Sequence, residues 1–222
     1  MARTLERYEE IERSLIKRFR KELWTPLIAG VKRYAMIREG GRVSVPFTGR
    51  AASLLLAKLM QELERHSTVP FTSVFFEPAG TDPRAAALAE ELRVPLSAPE
   101  AAESCPVTAL PTLMDDAWEE TLSGMLCRGR IASVLPRERR DGREIIRPLY
   151  CVAREDLERW VRSCGLTPVP EPPAPPEIRW VAETVRAMKP DNPDIEKNLF
   201  NSLHNVWPGT FPPGAAEGGR NP

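Results

Sequence analysis

The sequence predicts an α/β fold in which a doubly wound, mostly parallel sheet is flanked by helices. Short runs rich in β-branched and aromatic residues alternate with helical segments along the middle of the chain. The first such run, residues 42–47, is joined to a helix by a short turn. Strands that alternate with helices pair in parallel through right-handed crossovers, so ligands are expected beyond the carboxyl ends of the strands.

The elements follow from hydrophobic spacing and from helix breakers. Residues 5–34 have apolar side chains at helical spacing, and Pro26 either ends a first helix or opens a second. Strands are predicted at 42–47, 71–77, 93–96, 107–110 and 145–150. Helices are predicted at 51–65, 83–92, 115–126, 154–164, 177–188 and 193–206, and residues 97–106 are predicted to form a loop.

Composition shifts divide the chain into five parts. The prolines of residues 171–176 predict a stiff spacer, and the Gly- and Pro-rich end predicts disorder. The predicted parts are a basic helical segment (1–37), an α/β domain (38–168), a proline-rich linker (169–177), two carboxyl-terminal helices (178–207) and a disordered tail (208–222).

Length and composition exclude several classes of protein. A chain of 222 residues with 42% hydrophobic and 28% charged residues is neither fibrous nor disordered, and it buries a core without disulfides. No apolar run reaches the ~18 residues of a membrane span, and the amino terminus lacks the apolar core of a signal peptide, so we expect a cytoplasmic protein that does not bind membranes. Four scattered cysteines and two histidines make a zinc site hard to assemble.

The zero net charge hides blocks of opposite sign. Residues 13–33 carry seven Lys and Arg against one Glu, residues 77–120 carry ten acids against two Arg, and residues 128–147 carry seven Arg against three acids. Such blocks are commonly solvated faces that attract one another. The alternative is that the basic blocks converge on a polyanion such as RNA, with these candidate contacts: Lys17, Arg18, Arg20, Lys21, Arg139 and Arg140.

Several stretches together resemble a known family. They are REGGRVSVPFTGRAASLLLAKLMQEL (38–63), IIRPLYCVAREDLERW (145–160) and DIEKNLFNSLHNV (194–206), preceded by the basic lead-in ERSLIKRFRKELWTPLIAGVKRYAMI (12–37). In this order they resemble the PP-loop ATP pyrophosphatases of the tRNA 2-thiocytidine synthetase type. The resemblance implies an adenine nucleotide alpha hydrolase-like fold and chemistry in which ATP adenylates a tRNA base before sulfur is delivered with the help of an iron–sulfur cluster.

The family's phosphate loop, Ser-Gly-Gly-x-Asp-Ser, aligns with Thr48 to Ser53. Thr48, Gly49 and Ser53 match its ends, whereas Arg50 stands at the second glycine and Ala52 at the aspartate. The resemblance therefore implies nucleotide binding by Thr48, Gly49, Arg50 and Ser53. Arginine has a side chain where glycine lets backbone approach phosphate, but its guanidinium can bind phosphate as a charged fork.

The other motifs of the family are incomplete. Gly-His-His-x-Asp-Asp aligns with residues that keep Asp115 and Asp116 and lack both histidines, so these acids either hold Mg²⁺ or cap a helix. Cys105 is the only cysteine where a C-x-x-C pair is expected, the helix that follows in the family is predicted to be deleted, and the third ligand falls among the prolines of 171–176. An iron–sulfur cluster is therefore not expected.

Three hypotheses follow. In the first, the chain is a pseudoenzyme that keeps nucleotide or tRNA binding, alone, as a homodimer or with an intact paralogue, and lacks sulfur transfer. In the second, it is an active ATP-dependent tRNA-modifying enzyme with an altered loop, Asp115 and Asp116 on magnesium, and Cys105 as a lone sulfur carrier. In the third, it is a scaffold that binds RNA or protein without catalysis.

Overall fold

A computed structural model describes residues 5–207, and within them the strands form one six-stranded sheet of order β3-β2-β1-β4-β6-β5. All neighbouring pairs are parallel except β5 and β6, which form an antiparallel pair at the edge. The strands are β1 (Gly41–Pro46), β2 (Phe71–Phe76), β3 (Leu96–Ser97), β4 (Val107–Ala109), β5 (Arg137–Arg140) and β6 (Arg143–Ile146). The doubly wound, mostly parallel sheet is confirmed. Its order reverses between β1 and β4, which is the switch point where such folds bind ligands.

Nine α-helices accompany the strands in the described range. They are α1 (Arg7–Ile16), α2 (Thr25–Arg33), α3 (Ala51–His66), α4 (Arg84–Glu91), α5 (Pro99–Glu103), α6 (Met114–Arg128), α7 (Arg154–Ser163), α8 (Pro176–Met188) and α9 (Ile195–Ser202). A π-helical turn, Arg20–Trp24, lies between α1 and α2. Pro26 lies in the first turn of α2, so of the two alternatives it opens the second helix. None of the described helices is both long and apolar enough to span a membrane.

The chain divides into two compact units. The first unit is Met1–Ala117 with Val134–Ala174, and it contains the whole sheet; the second is Trp118–Ser133 with Pro175–Pro222. In the second unit α8 and α9 contact each other, and a 2.9 Å ion pair joins Lys189 Nζ to Glu196 Oε2. The tail predicted to be disordered, 208–222, lies outside the described residues.

The core of the first unit lies on the α3 side of the sheet. Successive strand residues point to opposite faces, and on β2 the side chain of Phe75 joins the main core while that of Val74 packs with Ala102 of α5 and with Cys105. Helix α3 contacts α1 and α7 and is buried along most of its length. The broad apolar face that the sequence gives this helix therefore has neighbours on several sides.

Three predictions about local structure are wrong. The loop predicted at 97–106 contains α5, so a helix does precede β4. The strand predicted at 93–96 is reduced to Leu96–Ser97, because Arg93 has φ +54° and Val94 N–H donates to the Ala89 carbonyl, which ends α4. The strand predicted at 145–150 ends at Ile146 and begins earlier, as the second arm of a hairpin.

The hairpin has a signal in the sequence that the strand prediction overlooked. Its two-residue turn is Asp141-Gly142, and both residues have positive φ, +51° and +78°. Asp-Gly is a preferred sequence for the type I′ turn that joins adjacent antiparallel strands. The two strands were overlooked because the residues beside this turn are charged and do not alternate between apolar and polar.

Candidate functional site

The loop that follows β1 is closed by its own hydroxyl group. Thr48 N–H donates to Ser53 Oγ at 2.8 Å, and Ser53 Oγ donates to the Pro46 carbonyl at 3.2 Å. Helix α3 begins directly after Arg50, so its first amide groups point toward the end of the sheet. The sequence prediction of a strand, a short turn and a helix amino terminus is confirmed here, and Ser53 shapes the loop.

Gly49 is required in this loop for two reasons. Its φ is +72°, a left-handed conformation that side chains rarely adopt. A Cβ on Gly49 would also lie 2.8 Å from Val169 Cγ2 and 3.0 Å from the backbone of Ala85. Both the conformation and the space therefore exclude a larger residue.

A distant segment crosses the loop. Val169 N–H donates to the Gly49 carbonyl at 2.9 Å, and Arg50 and Val169 form an isolated parallel bridge. We call residues Val169–Glu171, the start of the predicted proline-rich linker, the strap. The strap belongs to the same unit as the loop, and sequence reasoning gave it no role at the site.

The strap brings an acid to Arg50. Glu171 Oε2 lies 3.7 Å from Arg50 Nε, a nitrogen that is buried without a hydrogen bond although 42% of the side chain is exposed. Burial raises the pKa of Glu171; the positive charges of Arg50 and Arg154 oppose that increase, and the negative charge of Asp116 adds to it. Four charged side chains from separate parts of the sequence therefore meet beyond the ends of β1 and β4.

The two predicted metal ligands hold the start of α6 and α7. Asp115 Oδ2 accepts a 2.7 Å hydrogen bond from the Arg154 backbone N–H, and Asp116 Oδ2 accepts one of 2.7 Å from Leu113 N–H. The Arg154 guanidinium donates to Asp116 Oδ1 at 2.7 Å. The carboxylates thus bind the backbone and Arg154, as the helix-capping alternative expects, and binding of Mg²⁺ by Asp115 and Asp116 stays a prediction.

The cysteines lie apart. Cys105 is buried just before β4, at the edge where the strands begin and away from Arg50. Cys151 and Cys164 are partly buried, which raises the pKa of both thiols, and Cys127 is exposed in the second unit. Between residues 5 and 207, no three His, Cys, Asp or Glu side chains gather as metal ligands. The absence of an iron–sulfur cluster stays a prediction.

The predicted RNA contacts lie on two exposed segments of the first unit. Lys17, Arg18, Arg20 and Lys21 lie at the end of α1 and in the π-helical turn, and Arg139 and Arg140 lie on β5. The hairpin reaches the amino-terminal segment through Arg137, whose guanidinium donates to the Ala35 carbonyl at 3.1 Å. Binding of RNA by these residues stays a prediction.

Sequence reasoning missed Arg154 and Glu171. Arg154 stands in a stretch quoted for its family resemblance, immediately before a helical pattern, and Glu171 is the acid that opens the proline run. An acid and a base at element ends were the only signals, and they are too common in proteins to identify a site. Their meeting with Arg50 depends on the path of the chain after α7.

Comparison with known proteins supports the fold. No protein-family model and no curated protein sequence matches the chain. Among solved structures, it is similar to the U34-tRNA thiolase NcsA from Methanococcus maripaludis with its [4Fe-4S] cluster, at a TM-score of 0.61 and 14% identity over 90% of this chain and 80% of that one. FMN adenylyltransferase from Candida glabrata gives a TM-score of 0.42 at 12% identity, over 82% and 74%. This similarity supports the doubly wound sheet with flanking helices, the adenine nucleotide alpha hydrolase-like fold that the sequence predicts.

Proposed function

We propose that this chain is a PP-loop-type protein of tRNA thiolation that binds an adenine nucleotide at the end of β1 and binds tRNA, and that it does not itself transfer sulfur. The observation that carries the proposal is the loop of Gly49 and Arg50 at the switch point of the sheet, where the amino terminus of α3 meets a partly exposed guanidinium. Helix amino termini and arginine forks both favour phosphate.

In the proposed binding mode, the phosphates contact groups of the loop other than the Ser53 hydroxyl, which already binds Thr48 and Pro46. The first-turn amides of α3 would bind the phosphates, and Arg50 would bind them as a charged fork after releasing Glu171. Ser53 acts indirectly, because its hydroxyl holds Thr48 and Pro46 in place. The similar fold of a U34-tRNA thiolase supports the choice of tRNA thiolation among the functions that such a fold serves.

The proposed absence of sulfur transfer rests on the donors at the site. Arg50 and Ala52 replace the glycine and aspartate that the resembling family has in its loop, and Cys105 lies at the opposite edge of the sheet. A thiol there cannot reach a base activated beside Arg50 without a change of fold. The second candidate, an active thiolating enzyme, is favoured by one observation only: Asp116 lies at the same edge as Arg50.

Calorimetric titration with ATP and Mg²⁺ tests nucleotide binding. We expect binding to the wild type, loss of binding in Arg50→Glu, and no change in Arg42→Glu, which alters an exposed arginine near the start of the same strand. Absence of binding to the wild type would overturn the nucleotide part of the proposal. Equal losses in both variants would also contradict the site.

Separate measurements test the RNA and the chemistry. Affinity for tRNA should fall steeply with salt if phosphates are neutralised, and the combined change of Lys17, Lys21 and Arg139 to Glu should weaken binding and flatten this dependence. A flat salt response in the wild type would favour the protein scaffold. Formation of 2-thio nucleosides from tRNA, ATP, Mg²⁺ and sulfide, detected by mass spectrometry, would establish the active enzyme instead.

A further inference from the structure

A cavity in the first unit lies away from the proposed nucleotide site. It has a volume of about 620 Å³ and is formed by the amino-terminal helical segment, the end of α3 and the loop that leads to β2. Ile37 precedes β1 and residues 67–69 precede β2, so the cavity lies at the edge where these strands begin. Arg50 lies at the other edge. We call this cavity the basic groove.

The walls of the basic groove are mainly aliphatic. The side chains that form them are Ile16, Ile28, Val31, Ile37, Leu63 and Val69. Trp24 also lines the cavity but is only 9% exposed, and its ring meets His66 edge to face at a centroid distance of 6.3 Å. The volume and the apolar lining are those of a small-molecule site.

Three cations surround this apolar space. Lys17, Arg20 and Lys32 line the groove, and none has an ion-pair partner in the described part of the chain. The groove has no carboxylate among its lining residues. Nearby basic side chains differ, because Lys58 and Arg65 are both paired with Glu12. His66, which also lines the groove, lies 3.4 Å from a Glu62 oxygen. The charges of Lys17, Arg20 and Lys32 are therefore the unpaired ones, and they favour an anion.

A local irregularity of the backbone places two of these groups. Phe19 N–H donates to the Ser14 carbonyl at 2.8 Å, an i to i−5 bond, and the π-helical turn Arg20–Trp24 follows. The first and last residues of this turn, Arg20 and Trp24, both line the groove. π-Helical turns are rare and occur frequently at functional sites.

We infer that the basic groove binds an amphipathic organic anion, with an apolar body against the aliphatic walls and a carboxylate, sulfonate or phosphate head held by Lys17, Arg20 and Lys32. This inference goes beyond the proposed function. The groove shares no residue with the nucleotide loop, which is residues 48–53, but Lys17 and Arg20 are also among the predicted RNA contacts, so the test must separate an organic anion from RNA. RNA is disfavoured as the occupant. Bases stack on exposed aromatic faces, whereas Trp24 is nearly covered and His66, the other aromatic side chain of the lining, packs edge to face against Trp24 and contacts Glu62.

The test uses a fluorescent anion and two matched competitors with the full chain. Anilinonaphthalene sulfonate should bind with increased fluorescence, and decanoate should displace it, whereas decanamide, which has the same chain without the charge, should displace it about tenfold less well. Equal displacement by the two competitors would overturn the assignment of the head group. Absence of dye binding would overturn the site.

Variants locate the binding. Arg20→Glu should weaken decanoate binding by about tenfold or more, whereas Arg18→Glu should not, because Arg18 is a neighbouring exposed arginine that lies over the Phe19 ring and does not line the groove. Val69→Trp should block binding by filling the groove from its exposed side while leaving the melting temperature unchanged. Equal losses in Arg18→Glu and Arg20→Glu, or displacement of the dye by oligouridylate at lower concentration than by decanoate, would contradict the inference.

Discussion

In the first unit, the two arginines at the carboxyl ends of the parallel strands are paired, and the three cations of the basic groove, at the amino ends, are not. We call these two ends of the sheet its two edges. Beyond the ends of β1 and β4, each arginine faces an acid: Arg50 lies near Glu171, and Arg154 binds Asp116. At the edge where β1 and β2 begin, the three cations of the basic groove face no acid. An anionic ligand that binds Arg50 must displace Glu171, whereas an anion that binds the basic groove displaces no ion pair. The edge that the sequence motifs indicate is therefore the one whose charges are already neutralised.

The interactions that stabilise the structure around these two sites differ as well. The nucleotide loop is held by backbone, through Gly49 and the strap. The helices beside the basic groove are held by a buried charge network: Lys58 Nζ donates to Glu12 Oε1 at 2.5 Å, and Arg65 donates to Glu12 Oε2 at 2.7 Å. This network joins α1 to α3, and Lys58 is completely buried. Different substitutions should therefore break the two regions.

The largest effect is expected from Glu12→Ala. This change leaves the buried ammonium of Lys58 without its carboxylate, and losing one partner of such a pair costs about 3–5 kcal/mol of unfolding free energy. Urea unfolding followed by circular dichroism measures it. Glu10→Ala, at an exposed position of the same helix, should change stability by less than about 0.5 kcal/mol.

A double variant separates the charge from the packing. Glu12→Leu combined with Lys58→Met replaces the pair by apolar side chains of similar size, and such replacements are often neutral or stabilising. The double variant should recover most of the stability lost in Glu12→Ala. If it is as unstable as Glu12→Ala, the loss is one of packing and the electrostatic explanation is wrong.

Acid should reduce the difference between the wild type and Glu12→Ala. Burial alone would raise the pKa of Glu12, but hydrogen bonds from Arg65 and Lys58 outweigh it and hold that pKa below its ordinary value. A group whose pKa is depressed by folding contributes stability above its unfolded pKa and loses it as pH falls through the folded pKa. The difference in unfolding free energy between the two proteins, measured from pH 7 to pH 3, should therefore shrink as the pH falls below the ordinary glutamate pKa of about 4.3. A constant difference would contradict a depressed pKa.

In the loop after β1, Gly49→Ala should lower the unfolding free energy more than any other addition of one methyl group. The left-handed φ and the short contacts to Val169 and Ala85 together cost about 3 kcal/mol. Gly80→Ala is the matched control, because Gly80 has φ +78° and open space around it, and it should lose only about 1 kcal/mol. Similar losses in the two variants would show that the strap does not press on the loop.

The sequence predicts the elements whose formation depends on the spacing of residues close together in the chain. The strand at 42–47, the short turn and the buried helix α3 follow from residue spacing, and they place Gly49 and Arg50 correctly at the end of a strand. The partner of Arg50 could not be predicted, since Glu171 reaches it only after the whole sheet has been built. The basic groove was hidden for another reason: the spacing of apolar residues from Phe19 to Leu27 fits a regular helix and does not show the π-helical turn.

The smallest effect on binding is expected from Glu171, which competes with ATP for Arg50. Arg50 and Glu171 are both partly exposed, and such ion pairs are worth at most about 1 kcal/mol, so Glu171→Gln should tighten ATP binding by about two- to fivefold. Burial raises the pKa of Glu171, so this carboxyl takes up a proton at a higher pH than an ordinary glutamate does. Lowering the pH should therefore improve ATP binding in the wild type more than in Glu171→Gln. Glu39→Gln, an exposed acid before β1, should change neither value. Calorimetry at pH 7 and pH 5.5 makes the comparison, and weaker binding in Glu171→Gln would mean that this acid supports Arg50 instead of competing with the ligand.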